Sequence, residues 1–247
     1  MDNRSDPRTT GFGYADPGTG TVARDAAYDA GLRKYMLSVY NYMASGVLLT
    51  GIVAMLFAGS AIGQDILTNG GLLRWVIIFA PLAFVMVLSF GINRLSTGAA
   101  QVLFWGFATV MGLSMASIFL VYTGESIALT FFSTAAAFMG LSLYGYTTKR
   151  DLSGFGTFLI MGVVGLFVAM LLNLWLQSGT LNLVISAIGV LIFAGLTAYD
   201  TQKIKSMYAY VAGTDMMGKT VIMGALNLYL DFVNMFSFLL SFMGSRE

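Results

Sequence analysis

The chain has 247 residues, 57% of them hydrophobic and 10% charged, and its 13 basic and 12 acidic side chains leave a net charge of +1. Soluble domains carry roughly 25% charged residues, so this chain lacks the polar surface to coat a globule in water, and it has no clustered positive charge for nucleic acid. It contains neither histidine nor cysteine, which excludes imidazole and thiol catalysis and the usual zinc, haem and iron–sulfur ligand sets.

Residues 1–34 hold Pro7, Pro17, several glycines and ten charged residues, with no hydrophobic periodicity before about Leu32. They read as a mostly disordered cytoplasmic tail, with a short helix from about Ala26 as a variant of that reading. No apolar stretch follows the first charges, so the tail is not a signal peptide. Residues 35–247 form the membrane domain. Seven apolar runs of about 20 residues, the length needed to cross the hydrocarbon core, occupy 39–57, 72–92, 102–122, 127–146, 155–176, 181–199 and 221–243. Short turns such as 59–71, 123–126 and 177–180 separate them. Backbone groups in lipid must be satisfied within the segment, so these are helices. The predicted fold is an all-α membrane protein, a seven-helix transmembrane bundle.

Charge sets the expected orientation. With a cytoplasmic N-terminus, the inner segments hold 11 of the 13 basic residues, and only Arg74 and Arg246 lie outside. That asymmetry obeys the positive-inside rule. Seven crossings place the C-terminus outside; a re-entrant last segment is the alternative. Ala108, Gly112 and Ala116 on the third span, and Ala136 and Gly140 on the fourth, recur every four residues, a spacing suited to close helix packing. Pro81 removes a backbone hydrogen bond from the second span and is a candidate kink.

Ten of the 12 acidic residues fall in the tail, the turns or the last position. The other two are Asp200, at the inner end of the sixth span, and Asp231, inside the seventh. A carboxylate within a span costs on the order of 2.5–3.5 kcal/mol and is a functional candidate by default. A protonated Asp making an interhelical hydrogen bond is the competing structural reading. Asn227 and Asn234 share the helical face of Asp231, and Thr197 shares that of Asp200. If the sixth and seventh helices are neighbours, the two carboxyls meet, and such a pair holds a shared proton over some pH range. It would also attract a cation, and calcium takes oxygen ligands of this kind.

Three stretches carry a family resemblance: Lys149-Arg150-Asp151-Leu152-Ser153, Tyr199-Asp200-Thr201-Gln202, and the run from Ala225 to Phe236, Ala-Leu-Asn-Leu-Tyr-Leu-Asp-Phe-Val-Asn-Met-Phe. With the seven-span layout, they make the sequence similar to the Bax inhibitor-1, or transmembrane Bax inhibitor motif, family in its bacterial inner-membrane branch. The resemblance implies a bundle with a central seventh helix. It implies a pH-dependent calcium leak, with calcium as the transported ion and no cofactor. Its pH sensor and transient calcium site would be Asp200 and Asp231; Asn227, Asn234 and Thr197 are supporting polar positions by their place on the same helical faces. It further implies a gating arginine at the inner end of the second helix, where this chain offers Arg94 or the adjacent Asn93. Calcium ions, protons and the bilayer are then the partners.

A second reading is regulatory: some bacterial relatives suggest binding to a membrane-anchored AAA protease without transport. An intramembrane aspartyl protease is excluded because Leu228-Tyr229-Leu230-Asp231 lacks the Gly-x-Gly-Asp motif and no proline follows Pro81. A retinal protein needs a lysine inside the last span, and the nearest, Lys219, precedes it. The chain therefore reads as a non-enzyme.

Overall fold

The computed structural model describes residues 17–245, with side chains described from Asp25. Their regular structure is helical, in the order α1 Pro17–Gly59, α2 Ala61–Asn69, α3 Gly71–Gly91, α4 Thr97–Met115, α5 Ile118–Val121, α6 Gly124–Thr147, α7 Ser153–Leu176, α8 Gly179–Val211 and α9 Met216–Met243. Seven segments are long and apolar enough to cross a membrane, α4 and α5 together forming one of them, and they coincide with the seven expected spans. Large apolar side chains such as Phe90, Trp175 and Leu191 face outward. A surface of that kind is matched by lipid and not by water.

The helices run further than the hydrophobic pattern indicated. Residues 17–34, read as part of an irregular tail, belong to α1; residues 1–16 lie outside the described residues. The correction has a tertiary cause, since a short polar helix gains most of its stability from packing. Here the rings of Tyr28 and Tyr35 lie 5.2 and 5.4 Å from that of Tyr208 on α8. Leu32 and Tyr35 are buried. Gly31 leaves room for the Tyr208 hydroxyl, which an added Cβ would strike. The partner exists because the expected loop from 200 to 220 is also mostly helix. The 33 residues of α8 extend about 50 Å, against a hydrocarbon core of about 30 Å. Its last turns emerge beside the emerging start of α1, and Asp200 lies within a helix. The turn to α9 is only residues 212–215.

One other turn is more ordered than expected, and one span is less regular. Residues 59–71 contain α2, whose N-cap Ser60 accepts the Gly63 N–H at 2.9 Å. The third span changes pitch near Ala116, where Phe119 and Leu120 donate to carbonyls three residues back. Ala116 there packs with Ala54, Ala58 and Leu67.

The last helix is central, as the resemblance implied. In α9, 67% of the most apolar stretch is buried, against 11% in α3, and α9 packs on α8, α1, α6 and α4. It is unbroken to Met243, and Ser245 beyond it joins the α5–α6 turn. The Thr123 N–H donates to the Ser245 carbonyl at 3.2 Å, and the Ser245 N–H donates to Ser126 Oγ at 2.9 Å. The end of α9 therefore lies opposite the turns at 92–96, 148–152 and 212–215, which removes the re-entrant alternative.

Small residues behave differently on two helices. Ala108, Gly112 and Ala116 are buried, and Gly112 sits against the Thr50 carbonyl of α1. Ala136 and Gly140 are exposed, and Gly140 faces open space. α6 instead approaches α8 through Gly145, where an added Cβ would lie 2.2 Å from the Ala198 carbonyl oxygen. Pro81 is buried inside α3, which continues through it.

Tyr229 anchors α9 to α1 and α4. Its ring packs 5.0 Å from Phe107 and 6.4 Å from Phe104. Thr50 donates its single hydroxyl proton to the Ala108 carbonyl at 2.8 Å, so Tyr229 donates to Thr50 at 2.6 Å. Tyr229→Phe removes one neutral bond and costs about 0.5–1.5 kcal/mol. Thr50→Val strands the buried Tyr229 hydroxyl and costs about 1–3 kcal/mol. Thermal unfolding in detergent should rank wild type above Tyr229→Phe and Tyr229→Phe above Thr50→Val. The reverse order of the two variants would contradict this bond direction.

Candidate functional site

The antiparallel hairpin of α8 and α9 places Asp200 and Asp231 opposite one another. Asp200 lies 11 residues before the end of α8 and Asp231 lies 15 after the start of α9. At 1.5 Å per residue these are about 16 and 22 Å from the connecting turn, close to the same level. The two carboxyls are close enough to interact electrostatically. Asp231 is 4% exposed, and its Oδ2 is buried without a hydrogen-bond partner. Asp200 is half-buried, and Lys203, one turn on, interacts with it electrostatically. Helix packing brings these groups together across a sequence separation of 31 residues.

The other expected residues divide into two groups. Thr197 is fully buried on the α8 face below Asp200, and its hydroxyl donates to the Phe193 carbonyl at 2.8 Å. Asn227 and Asn234 are half-buried on the Asp231 face. Asn234 Nδ2 donates to the Leu230 carbonyl at 2.8 Å, which leaves its Oδ1 as an acceptor. Neither asparagine is hydrogen-bonded to the aspartates among the described residues. Arg94 and Asn93 are exposed in the α3–α4 turn. The Arg94 N–H caps the Gly91 carbonyl at 2.9 Å, and α3 packs on α4 and α2. The peripheral position of α3 explains why the structure does not bring either latch candidate to the pair.

Each residue of Tyr199-Asp200-Thr201-Gln202 meets a different neighbour, because consecutive helical side chains point about 100° apart. The Tyr199 ring covers Gly156 on α7, where a Cβ would lie 2.4 Å from the ring. Asp200 faces Asp231. Thr201 shares a 3.0 Å hydrogen bond with Ser142 on α6, and Ser142 is in turn hydrogen-bonded to the Tyr40 hydroxyl of α1. Gln202 clamps the α6–α7 turn: its Nε2 donates to the Arg150 carbonyl at 2.8 Å and its Oε1 accepts the Leu152 N–H at 2.9 Å. Asp151 then accepts the Ser153 N–H at 2.9 Å at the start of α7, and the hydrogen bonds from Ser153 hold its carboxyl below the usual range. Gln202→Ala should raise amide hydrogen exchange at Leu152 by about fivefold, as one bond is worth about 1 kcal/mol. Unchanged exchange would show that the turn holds itself.

Sequence reasoning missed the Tyr40–Ser142–Thr201 chain, the Gln202 clamp and Thr50. The available signal was the same for Thr50 and Ser142: an isolated hydroxyl inside an apolar span. Its partner was not readable.

A family model described as "Inhibitor of apoptosis-promoting Bax1" matches residues 32–247. The chain is 48% identical over 220 residues to "Inner membrane protein YbhL" of Escherichia coli K12, covering 88% of this chain and 94% of that protein. It is 46% identical over 228 residues to the Rickettsia prowazekii protein RP147, covering 92% and 96%. A Caulobacter vibrioides protein is also 46% identical, over 233 residues, covering 90% and 93%. The three stretches that carried the resemblance all lie within the matched residues.

Proposed function

This chain belongs to the family of inhibitors of apoptosis-promoting Bax1, and from that premise we propose that it is a pH-dependent cation leak. The ion is calcium, and the site is the Asp200–Asp231 pair. The observation that carries this reading is the buried Asp231 carboxyl, facing Asp200 and leaving Oδ2 without a partner. Buried polar atoms are normally hydrogen-bonded, so this oxygen calls for a proton, a water or an ion. Two adjacent carboxyls resist carrying charge together unless a cation lies between them. Protonated, the pair is neutral and offers little to an ion. Deprotonated, it offers the hard oxygen ligands that calcium takes. Asn234, Asn227 and Thr197 add oxygen atoms near the same level. The arrangement contains no nucleophile–base constellation, and the proposed role is passive passage, not catalysis.

The name of the E. coli relative supports placing the chain in a bacterial inner membrane. The basic residues at the end of the bundle with turns 92–96, 148–152 and 212–215 support a cytoplasmic position for that end and for the N-terminus. The test is calcium entry into liposomes containing the purified chain, followed with an internal dye between about pH 5 and 8. Entry above protein-free liposomes, varying with pH, supports the reading. No entry at any pH overturns it and favours the regulatory alternative, in which the chain restrains a membrane-anchored AAA protease without conducting ions.

A further inference from the structure

The α7–α8 side of the bundle carries two adjoining cavities of opposite character. At the end with the basic turns, Lys149, Arg150 and Lys203 line a polar pocket of about 320 Å³ with the hydroxyl residues Ser153 and Ser206. Lys203 stands 5.9 Å from the centre of the Tyr199 ring. The Gln202 clamp fixes the turn that supplies the other two cations. Asp151 also lines the pocket, but its carboxylate is turned to the Ser153 N–H. Three cations therefore face one anion that already has a donor.

Directly along α7 from Ser153, an apolar groove of about 550 Å³ begins at Phe155 and Phe158 and runs between α7 and α8 to Ala169 and Leu181. From Phe155 to Ala169 it is about 21 Å long at 1.5 Å per residue, close to an extended acyl chain of ordinary length. Gly165 opens it, with nothing within 4 Å of an added Cβ. A free phosphate would use the pocket alone, whereas a ligand with a phosphate and a long chain uses both.

We propose that the α7–α8 side binds an anionic phospholipid, its phosphate among Lys149, Arg150 and Lys203 and one acyl chain in the groove below. Basic pockets at the ends of membrane helices hold anionic headgroups by charge, and here the apolar groove supplies the second half of the ligand. Lys203 also interacts with Asp200 one turn away, so the headgroup sits beside the candidate ion site.

Native mass spectrometry of the detergent-purified full chain, titrated with dioleoylphosphatidylglycerol or dioleoylphosphatidylcholine, tests this. One phosphatidylglycerol should be retained under conditions that strip phosphatidylcholine. The double variant Arg150→Gln, Lys203→Gln should weaken retention by about tenfold or more. Gly165→Leu should weaken it with every cation in place, and Lys34→Gln, away from the pocket, should leave it unchanged. Equal retention of the two lipids would overturn the proposal, as would wild-type retention in both pocket and groove variants. A thermal shift from inorganic phosphate that matches the phosphatidylglycerol shift and survives Gly165→Leu would assign the pocket to free phosphate instead. Circular dichroism of each variant ensures that lost retention is not lost folding.

Discussion

Asp231→Asn is expected to lower calcium flux in proteoliposomes by roughly tenfold to a hundredfold and to flatten its dependence on pH. The carboxyl is buried and has one partner group, Asp200. A charge-assisted interaction is worth about 1.5–3 kcal/mol, which corresponds to about one to two factors of ten. Asn keeps the volume and one acceptor oxygen but cannot exchange a proton, so the variant separates charge from shape. Asp200→Asn should be milder, because Asp200 is half-buried and also interacts with Lys203. It should weaken the pH dependence and leave residual flux. Flux with unchanged pH dependence in both variants would refute the site while leaving the leak standing. Loss of flux with wild-type thermal stability would exclude a purely structural role for the pair.

Gly145→Ala should produce a large loss of stability for a single added methyl group. The new Cβ would lie 2.2 Å from the Ala198 carbonyl oxygen and 2.9 Å from its carbon. That neighbour is helix backbone and cannot swing aside, so α6 and α8 must separate. Overpacking of this kind costs about 1–3 kcal/mol, and Gly145→Val should cost more. The damage reaches the site, since Ala198 is two residues from Asp200 and the Ser142–Thr201 bond crosses the same interface. Lys205 Nζ donates to the Tyr146 carbonyl at 2.7 Å on that interface too. Gly140→Ala, facing open space, is the control and should be neutral or gain up to about 0.5–1 kcal/mol from helix propensity. Melting in detergent should therefore order Gly140→Ala at or above wild type, then Gly145→Ala, then Gly145→Val. A wild-type melting point for Gly145→Ala would mean that the helices do not approach this closely.

The contrast between Gly140 and Gly145 shows where one-dimensional reasoning stops. A small-residue stripe is a property of one helix, and Ala136–Gly140 has the spacing of a packing face. Whether a face meets protein or lipid depends on where the other helices lie, and both environments tolerate apolar residues equally. Periodicity cannot distinguish a lipid-facing stripe from a buried one when lipid is as apolar as leucine. The same degeneracy hid the length of α8. Residues 200–211 are polar enough to resemble a loop, yet they remain helical because Tyr208 has Tyr28 and Tyr35 to pack on. The latch candidates Arg94 and Asn93 were placed by position along the chain, and the peripheral packing of α3 keeps them from the aspartates.

The sequence alone determined the number of spans, their places to within a few residues, and the presence of one carboxyl inside a span and a second at the end of another. These follow from hydrophobic length and from the cost of charge in hydrocarbon, and both are properties of one segment at a time. Only the tertiary structure decided that Asp200 and Asp231 face each other, that α9 is the core of the bundle, and that Gln202 and Thr50 tie distant helices together. Those are relations between helices brought close by packing, and helix packing in lipid is settled by shape and by paired polar groups, neither of which one segment carries.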